Sequence, residues 1–152
     1  MTHSERLVAL NLALPAVATP VGSYVPALRS GKRILTSGQL PMRDGKLLFS
    51  GKVPTDVSLE DAAEAARVCT LNGLAAAAEA AGGLDKITRV IRAGVFVNSS
   101  PDFYDQAKVA NGASELLVEV FGEAGKHIRA AVGMAALPLN AAVEVEFVFH
   151  AV

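Results

Sequence analysis

The chain has 152 residues, 51% of them hydrophobic and 19% charged, a globular composition long enough to bury a core without disulfide or metal staples. Its formal net charge of −1 lacks the basic excess that drives phosphate binding, which argues against nucleic acid as a partner. The single cysteine, Cys69, excludes an internal disulfide and a four-cysteine zinc site, and no apolar run reaches the ~20 residues a bilayer span needs. The N-terminus lacks the basic start and small-residue cleavage site of a secretory signal, so the expected setting is cytoplasmic, without membrane contact.

In chain order, Ser4 is expected to cap a short helix carrying Leu7, Leu10 and Leu14 at helical spacing, ended by Pro15. Residues 1–19 thus form a helical extension and connector. Tyr24-Val25, Arg33 to Ser37 and Leu47 to Phe49 read as a three-stranded antiparallel meander, with turns at Ser30-Gly31 and at Arg43-Asp44-Gly45-Lys46. Ser58, followed by Glu60 and Asp61, starts a helix that Gly82-Gly83 stops. Val68, Leu71, Ala75 and Ala78 form its stripe, and Cys69 beside them reads as a small buried hydrophobe.

Ile87 to Val97 is rich in β-branched residues and reads as a strand. Pro101-Asp102 opens a second long helix through Phe103, Ala107, Ala110, Ser114, Leu117 and Phe121, with Gly112 as its weak point and Gly122 to Gly125 as its stop. Strands Ile128 to Ala136 and Ala142 to Val152 finish the chain and are expected to pair around Leu137-Pro138-Leu139-Asn140. The class is therefore α+β: one domain over residues 1–152, with two long helices on one face of a mixed sheet of about six strands. Val143, Val145, Phe147 and Phe149 alternate toward those helices, while Glu144, Glu146, Val148 and His150 take a face with nothing left to cover it. That mixed face predicts a homo-oligomer.

Two ionisable residues stand out in these last strands. Alternation groups Arg129 with Ala131, Gly133 and Ala135, a row of small side chains that predicts a hollow beside a guanidinium, suited to a planar carboxylate. Glu144, on the strand expected to pair, is predicted near the same hollow. The alternative is a plain Arg–Glu ion pair in an oligomer interface. His3, His127 and His150 lack metal-ligand spacing, no glycine-rich phosphate loop follows a strand, and no serine has an identifiable histidine base.

Arg129-Ala-Ala-Val132, Leu137-Pro138 and Val143-Glu144-Val145, together with Thr36-Ser37-Gly38-Gln39-Leu40-Pro41 and Gly22-Ser23-Tyr24-Val25, resemble the motifs of the Rid family, also called YjgF, over roughly residues 20–152. The resemblance implies a fold similar to bacterial chorismate mutase and a homotrimer with clefts between subunits. It also implies hydrolysis of small enamines or imines such as 2-aminoacrylate to a 2-keto acid and ammonia, without metal or organic cofactor. Arg129 then binds the substrate carboxylate, Glu144 positions or activates water, Tyr24 and Ser37 line the cleft, and Asn111 matches the family's cleft asparagine. The chain departs from the pattern at His127, where the family has Pro or Ala, and at Ala131, where it often has Cys, which marks a divergent subgroup. The other readings are a non-catalytic trimer that binds small carboxylate metabolites or regulates a partner enzyme, and the ribonuclease or translation inhibitor of older family descriptions.

Overall fold

The structure, a computed structural model, describes residues 1–17, 19–20 and 22–152. The first helix, α1 (His3–Ala9), is capped by Thr2 and not by Ser4: Thr2 Oγ1 accepts from Glu5 N at 3.1 Å while Thr2 N donates to the Glu5 carboxylate at 2.8 Å. This reciprocal capping box starts the helix early, and the helix ends at Leu10, short of the expected Pro15. Leu7 is buried, His3 packs on the Phe121 ring at 4.6 Å, and Ser4 N donates to the Asp85 carboxylate at 2.9 Å. These contacts seat α1 on the body of the protein.

Strands β1 (Ala27–Ser30) and β2 (Arg33–Thr36) pair around the predicted Ser30-Gly31 turn. Asp44 and Gly45, both at positive φ, close a second hairpin of β3 (Met42–Arg43) and β4 (Lys46–Leu47). The predicted meander is corrected in two places. The first strand begins at Ala27 and not at Tyr24, and the second hairpin stands apart from the main sheet. The Asn72 amide donates to Leu40 O at 3.0 Å and Met42 O at 2.9 Å, drawing this segment onto the neighbouring helix, so the main sheet has five strands.

That helix, α2 (Leu59–Ala81), has the predicted ends: Ser58 Oγ accepts from Asp61 N at 3.1 Å, and Gly82 closes it in the left-handed conformation. Strand β5 (Ile87–Asn98) follows, then α3 (Gln106–Phe121), β6 (Ile128–Met134) and β7 (Val143–Ala151). The order across the sheet is β1-β2-β7-β5-β6, with β5 and β6 parallel and the other pairs antiparallel. The expected β6–β7 pair therefore does not form. The crossover through α3 lays β6 beside β5, and the chain passes over the end of β5 through Leu137–Asn140 to reach β7 on its other side.

Both long helices cover one face. Phe147 and Phe149 stack at 5.7 Å beneath them, with Val143 and Val145 also buried. Each such ring contributes about 1.5–3 kcal/mol through burial alone. The backbone of α3 meets α2 at Gly112, where a Cβ would collide with the Ala63 carbonyl. The supposed weak point is thus the contact that allows the helices to cross closely. The opposite face of the sheet leaves Leu28, Leu35, Ile128, Val132 and Met134 exposed. No helix among the described residues is long and apolar enough to cross a membrane.

Candidate functional site

The predicted site residues fall into two groups on opposite faces of the sheet. Arg129 lies opposite Ala93 of β5 and points to the helix side, whereas Glu144 lies opposite Phe96 and points to the uncovered side. With β5 between them, three residues of offset and two interstrand steps put their Cα atoms about 14 Å apart. The shared hollow does not exist within one chain. The row Arg129, Ala131, Gly133 is not a hollow either: Ala131 packs on the core, and a Cβ on Gly133 would meet the side chains of Gln106 and Ser99. The small residues admit α3 against β6.

Arg129 is held by α3. Its Nη1 donates to Asn111 Oδ1 at 2.8 Å and to Ser114 Oγ at 3.1 Å, and its Nη2 donates to Ala107 O at 3.2 Å. Ala107, Asn111 and Ser114 recur at helical spacing on one face, so a single helix surface supplies all three acceptors. Of the five guanidinium N–H groups, Nε–H and one Nη2–H have no partner among the described residues. Asn111 thus lies beside Arg129, as an acceptor for it. Behind Ser114 stands His127: Ser114 Oγ and His127 Nε2 are 2.9 Å apart, and His127 Nδ1 lies 2.6 Å from Gly125 O. The expectation that no serine has a histidine partner is corrected, since the two residues meet only once α3 packs on β6.

The second group surrounds Glu144. A cleft of about 510 Å³ is lined by Tyr24, Ser37, Gly38, Leu40, Pro138, Leu139 and Glu144. Ser37 Oγ donates to Val25 O at 2.6 Å, tying the Tyr24 segment to the end of β2, while Gln39 and Val145 exchange backbone hydrogen bonds of 2.7 and 3.0 Å. Gly38 leaves room for the carboxylate here, because a Cβ at that position would displace the Glu144 side chain from its place in the cleft. Half-burial raises the Glu144 pKa above the usual carboxylate range by stripping water from the charged form, and the nearby Glu146 charge adds repulsion. Among the described residues no cation pairs with Glu144, and no cluster of His, Cys, Asp and Glu has the makings of a metal site.

Tyr24, Ser37 and Glu144 are thus brought together, as are Arg129 and Asn111, but the two sets are not joined. Gly38 lay inside the quoted Ser37-Gly38-Gln39 motif. Pro138 lay inside the quoted Leu137-Pro138 motif, whereas Leu139 was read only as part of a turn: it lines the cleft from a left-handed backbone conformation, φ 57°, that its side chain type does not announce. The cleft opens onto a smaller apolar pocket of about 120 Å³ that shares Tyr24, Gly38, Leu40 and Leu139 and adds Pro26, Met42 and Asn72.

The fold and these two half-sites define a class: a helix-backed mixed sheet that carries an anchored arginine on its edge strand and a half-buried carboxylate on its bare face. The chain belongs to the family described as "YjgF/chorismate mutase-like, putative endoribonuclease", whose model matches residues 4–151 and so takes in α1. It is 45% identical over 138 residues to Protein TCP17 of Trypanosoma cruzi, covering 90% of this chain and 86% of that one. Among solved structures it resembles Atu1372 of Agrobacterium tumefaciens at 44% identity and a TM-score of 0.89, over 99% of this chain and 92% of that one. It resembles a "putative endoribonuclease" of Shewanella oneidensis at 37% and 0.95, over 99% of both chains. TdcF of E. coli with bound serine is similar at 26% and 0.62, over 91% and 99%.

Proposed function

We propose that the protein is a cofactor-independent deaminase of small enamines and imines, 2-aminoacrylate-like, working as a homotrimer whose clefts lie between subunits. The observation that carries the reading is Arg129. Three acceptors on α3 fix its guanidinium and leave one Nη2–H and Nε–H for a carboxylate. Holding one edge of the guanidinium by these hydrogen bonds preorganises it, so less rotational freedom is lost when the acid binds.

In this reading the substrate carboxylate docks on Arg129 of one subunit, and C2 of the imine lies against Glu144 of the next. Water adds to C2 as the Glu144 carboxylate accepts its proton. The proton passes from Glu144 to nitrogen, and the resulting carbinolamine gives up its hydroxyl proton to the leaving amine by way of Glu144 as the C–N bond breaks, releasing ammonia and the 2-keto acid. A carboxyl with a raised pKa is a better proton acceptor for this step than an ordinary surface glutamate, provided it is ionised. The bare apolar face of the sheet, with Leu28, Leu35, Val132 and Met134 exposed, supports burial against further copies of the chain. The relative TdcF holds an amino acid, serine, in keeping with a small carboxylate ligand.

Arg129→Ala is expected to abolish ammonia release from 2-aminoacrylate generated in situ, measured against the uncatalysed decay. A variant as active as the parent ends this reading. The competing reading, a metabolite binder without catalysis, keeps Arg129 but assigns nothing to Glu144. Glu144→Gln that retains pyruvate binding but loses ammonia release supports the deaminase. The ribonuclease reading has against it the balance of 14 basic and 15 acidic residues.

A further inference from the structure

We infer that His127 is a positioning residue for Arg129, acting through the Ser114 hydroxyl, and that the His127–Ser114 pair sets the orientation in which Arg129 presents its remaining N–H groups to a carboxylate. The inference rests on the reading of Arg129 as the carboxylate anchor. Gly125 O, 2.6 Å from His127 Nδ1, can only accept, so Nδ1 carries a proton. In the neutral ring Nε2 is then an acceptor, and the Ser114 hydroxyl, 2.9 Å away, donates to it. With its proton committed there, Ser114 Oγ turns a lone pair to Arg129 Nη1 at 3.1 Å. Every partner in the series from Gly125 O through His127 and Ser114 to Arg129 has its donor or acceptor role assigned, and no member is left with two choices.

The contrast with Thr70 shows that this arrangement is not a default for a hydroxyl in a helix. Thr70 Oγ1 donates to Ala66 O, one turn back in its own helix, at 2.8 Å. Ser114 occupies an equivalent mid-helix position but reaches across to β6. Removing its hydroxyl leaves Nη1 with Asn111 alone, and removing the ring frees that hydroxyl to rotate away from Nη1; either change loosens the hold on the guanidinium.

The test is the dissociation constant of pyruvate, measured by ligand-observed NMR on the full chain, for the parent, Arg129→Ala, Ser114→Ala, Ser114→Thr, His127→Phe and the double variant Ser114→Ala/His127→Phe. Arg129→Ala is expected to lose binding. Ser114→Ala and His127→Phe are each expected to weaken it by about tenfold, the scale of one hydrogen bond to a charged group, and the double variant by no more than Ser114→Ala alone, because both act on one series of bonds. Ser114→Thr, which keeps the hydroxyl, is expected to bind as the parent does. The ¹⁵N shifts of the neutral His127 ring should report a protonated Nδ1 and an unprotonated Nε2. A merely structural histidine would lower the melting temperature of His127→Phe and leave the pyruvate constant alone, which overturns the inference while the anchor reading stands. Additive losses in the double variant overturn it as well. Should His127→Phe fail to fold, Ser114→Ala and Ser114→Thr decide it by themselves. Unchanged binding in Arg129→Ala removes the anchor reading and this inference together.

Discussion

Glu144 carries a conflict between stability and chemistry. Its burial beside Gly38 raises the native pKa, with the Glu146 charge as the smaller contribution. The folded chain therefore holds that proton more tightly than the unfolded chain does. The stability linked to it is fully present below the ordinary glutamate pKa of about 4.3 and is lost as pH rises through the elevated native value. At neutral pH Glu144 is a half-buried carboxylate that no cation pairs with among the described residues of its own chain, a cost tolerated at a site where the ionised form is proposed to serve as a base. Glu144→Gln removes the ionisation and keeps the shape. It is expected to melt at a higher temperature than the parent at pH 7.5, to lose that advantage near pH 4, and to release no ammonia. Melting curves that stay parallel across this range would contradict the assigned burial. In the parent, ammonia release is expected to fall as pH drops through the raised Glu144 value, because the base is then protonated.

At the scale of elements, the crossing of α2 and α3 turns on one glycine. An alanine at Gly112 would improve intrinsic helix propensity by about 1 kcal/mol, but its Cβ would press on the Ala63 carbonyl, and overpacking of this kind costs about 1–3 kcal/mol. Gly112→Ala is accordingly expected to lower the urea midpoint, and a variant more stable than the parent would show that the helices have room to separate. The loss should extend to Arg129, since the same helix supplies its acceptors. From sequence alone Gly112 was legible only as a poor helix former, because propensity is local and the Ala63 backbone lies 49 positions away. Ser58 and Gly82 were legible at the ends of α2 for the opposite reason: a cap bonds to its own helix. Strand neighbours were the least legible. The alternation in β7 separated its helix-facing residues from Glu144 and Glu146 correctly, yet nothing in either pattern says that β5 comes between β6 and β7. Once that order is known, Arg129 and Glu144 are seen to occupy different half-sites. The motifs had named the residues without stating that one chain keeps them apart.

The separation has a consequence for the whole molecule. A cleft that uses both Arg129 and Glu144 needs two copies of the chain, because β5 and the thickness of the sheet lie between the residues in one copy. The uncovered face is suited to that assembly: Leu28, Leu35 and Val148 form a row across β1, β2 and β7, and Val132 lies beside Phe96 on the other flank. Closed cyclic symmetry would give every copy the same neighbour on each side, so each cleft draws Arg129 from one subunit and Glu144 from the next. Arg129→Ala and Glu144→Gln are each expected to be inactive alone. When the two are unfolded together in equal amounts and refolded, random assembly joins an intact Arg129 to an intact Glu144 in about one cleft in four, so about a quarter of parental ammonia release should return. Mixing the folded variants without subunit exchange should restore none. A site built within one chain predicts no recovery by either route, since each copy still carries one defective residue. Recovery near a quarter after co-refolding, with size-exclusion chromatography reporting a trimer, is the joint outcome the intersubunit cleft requires.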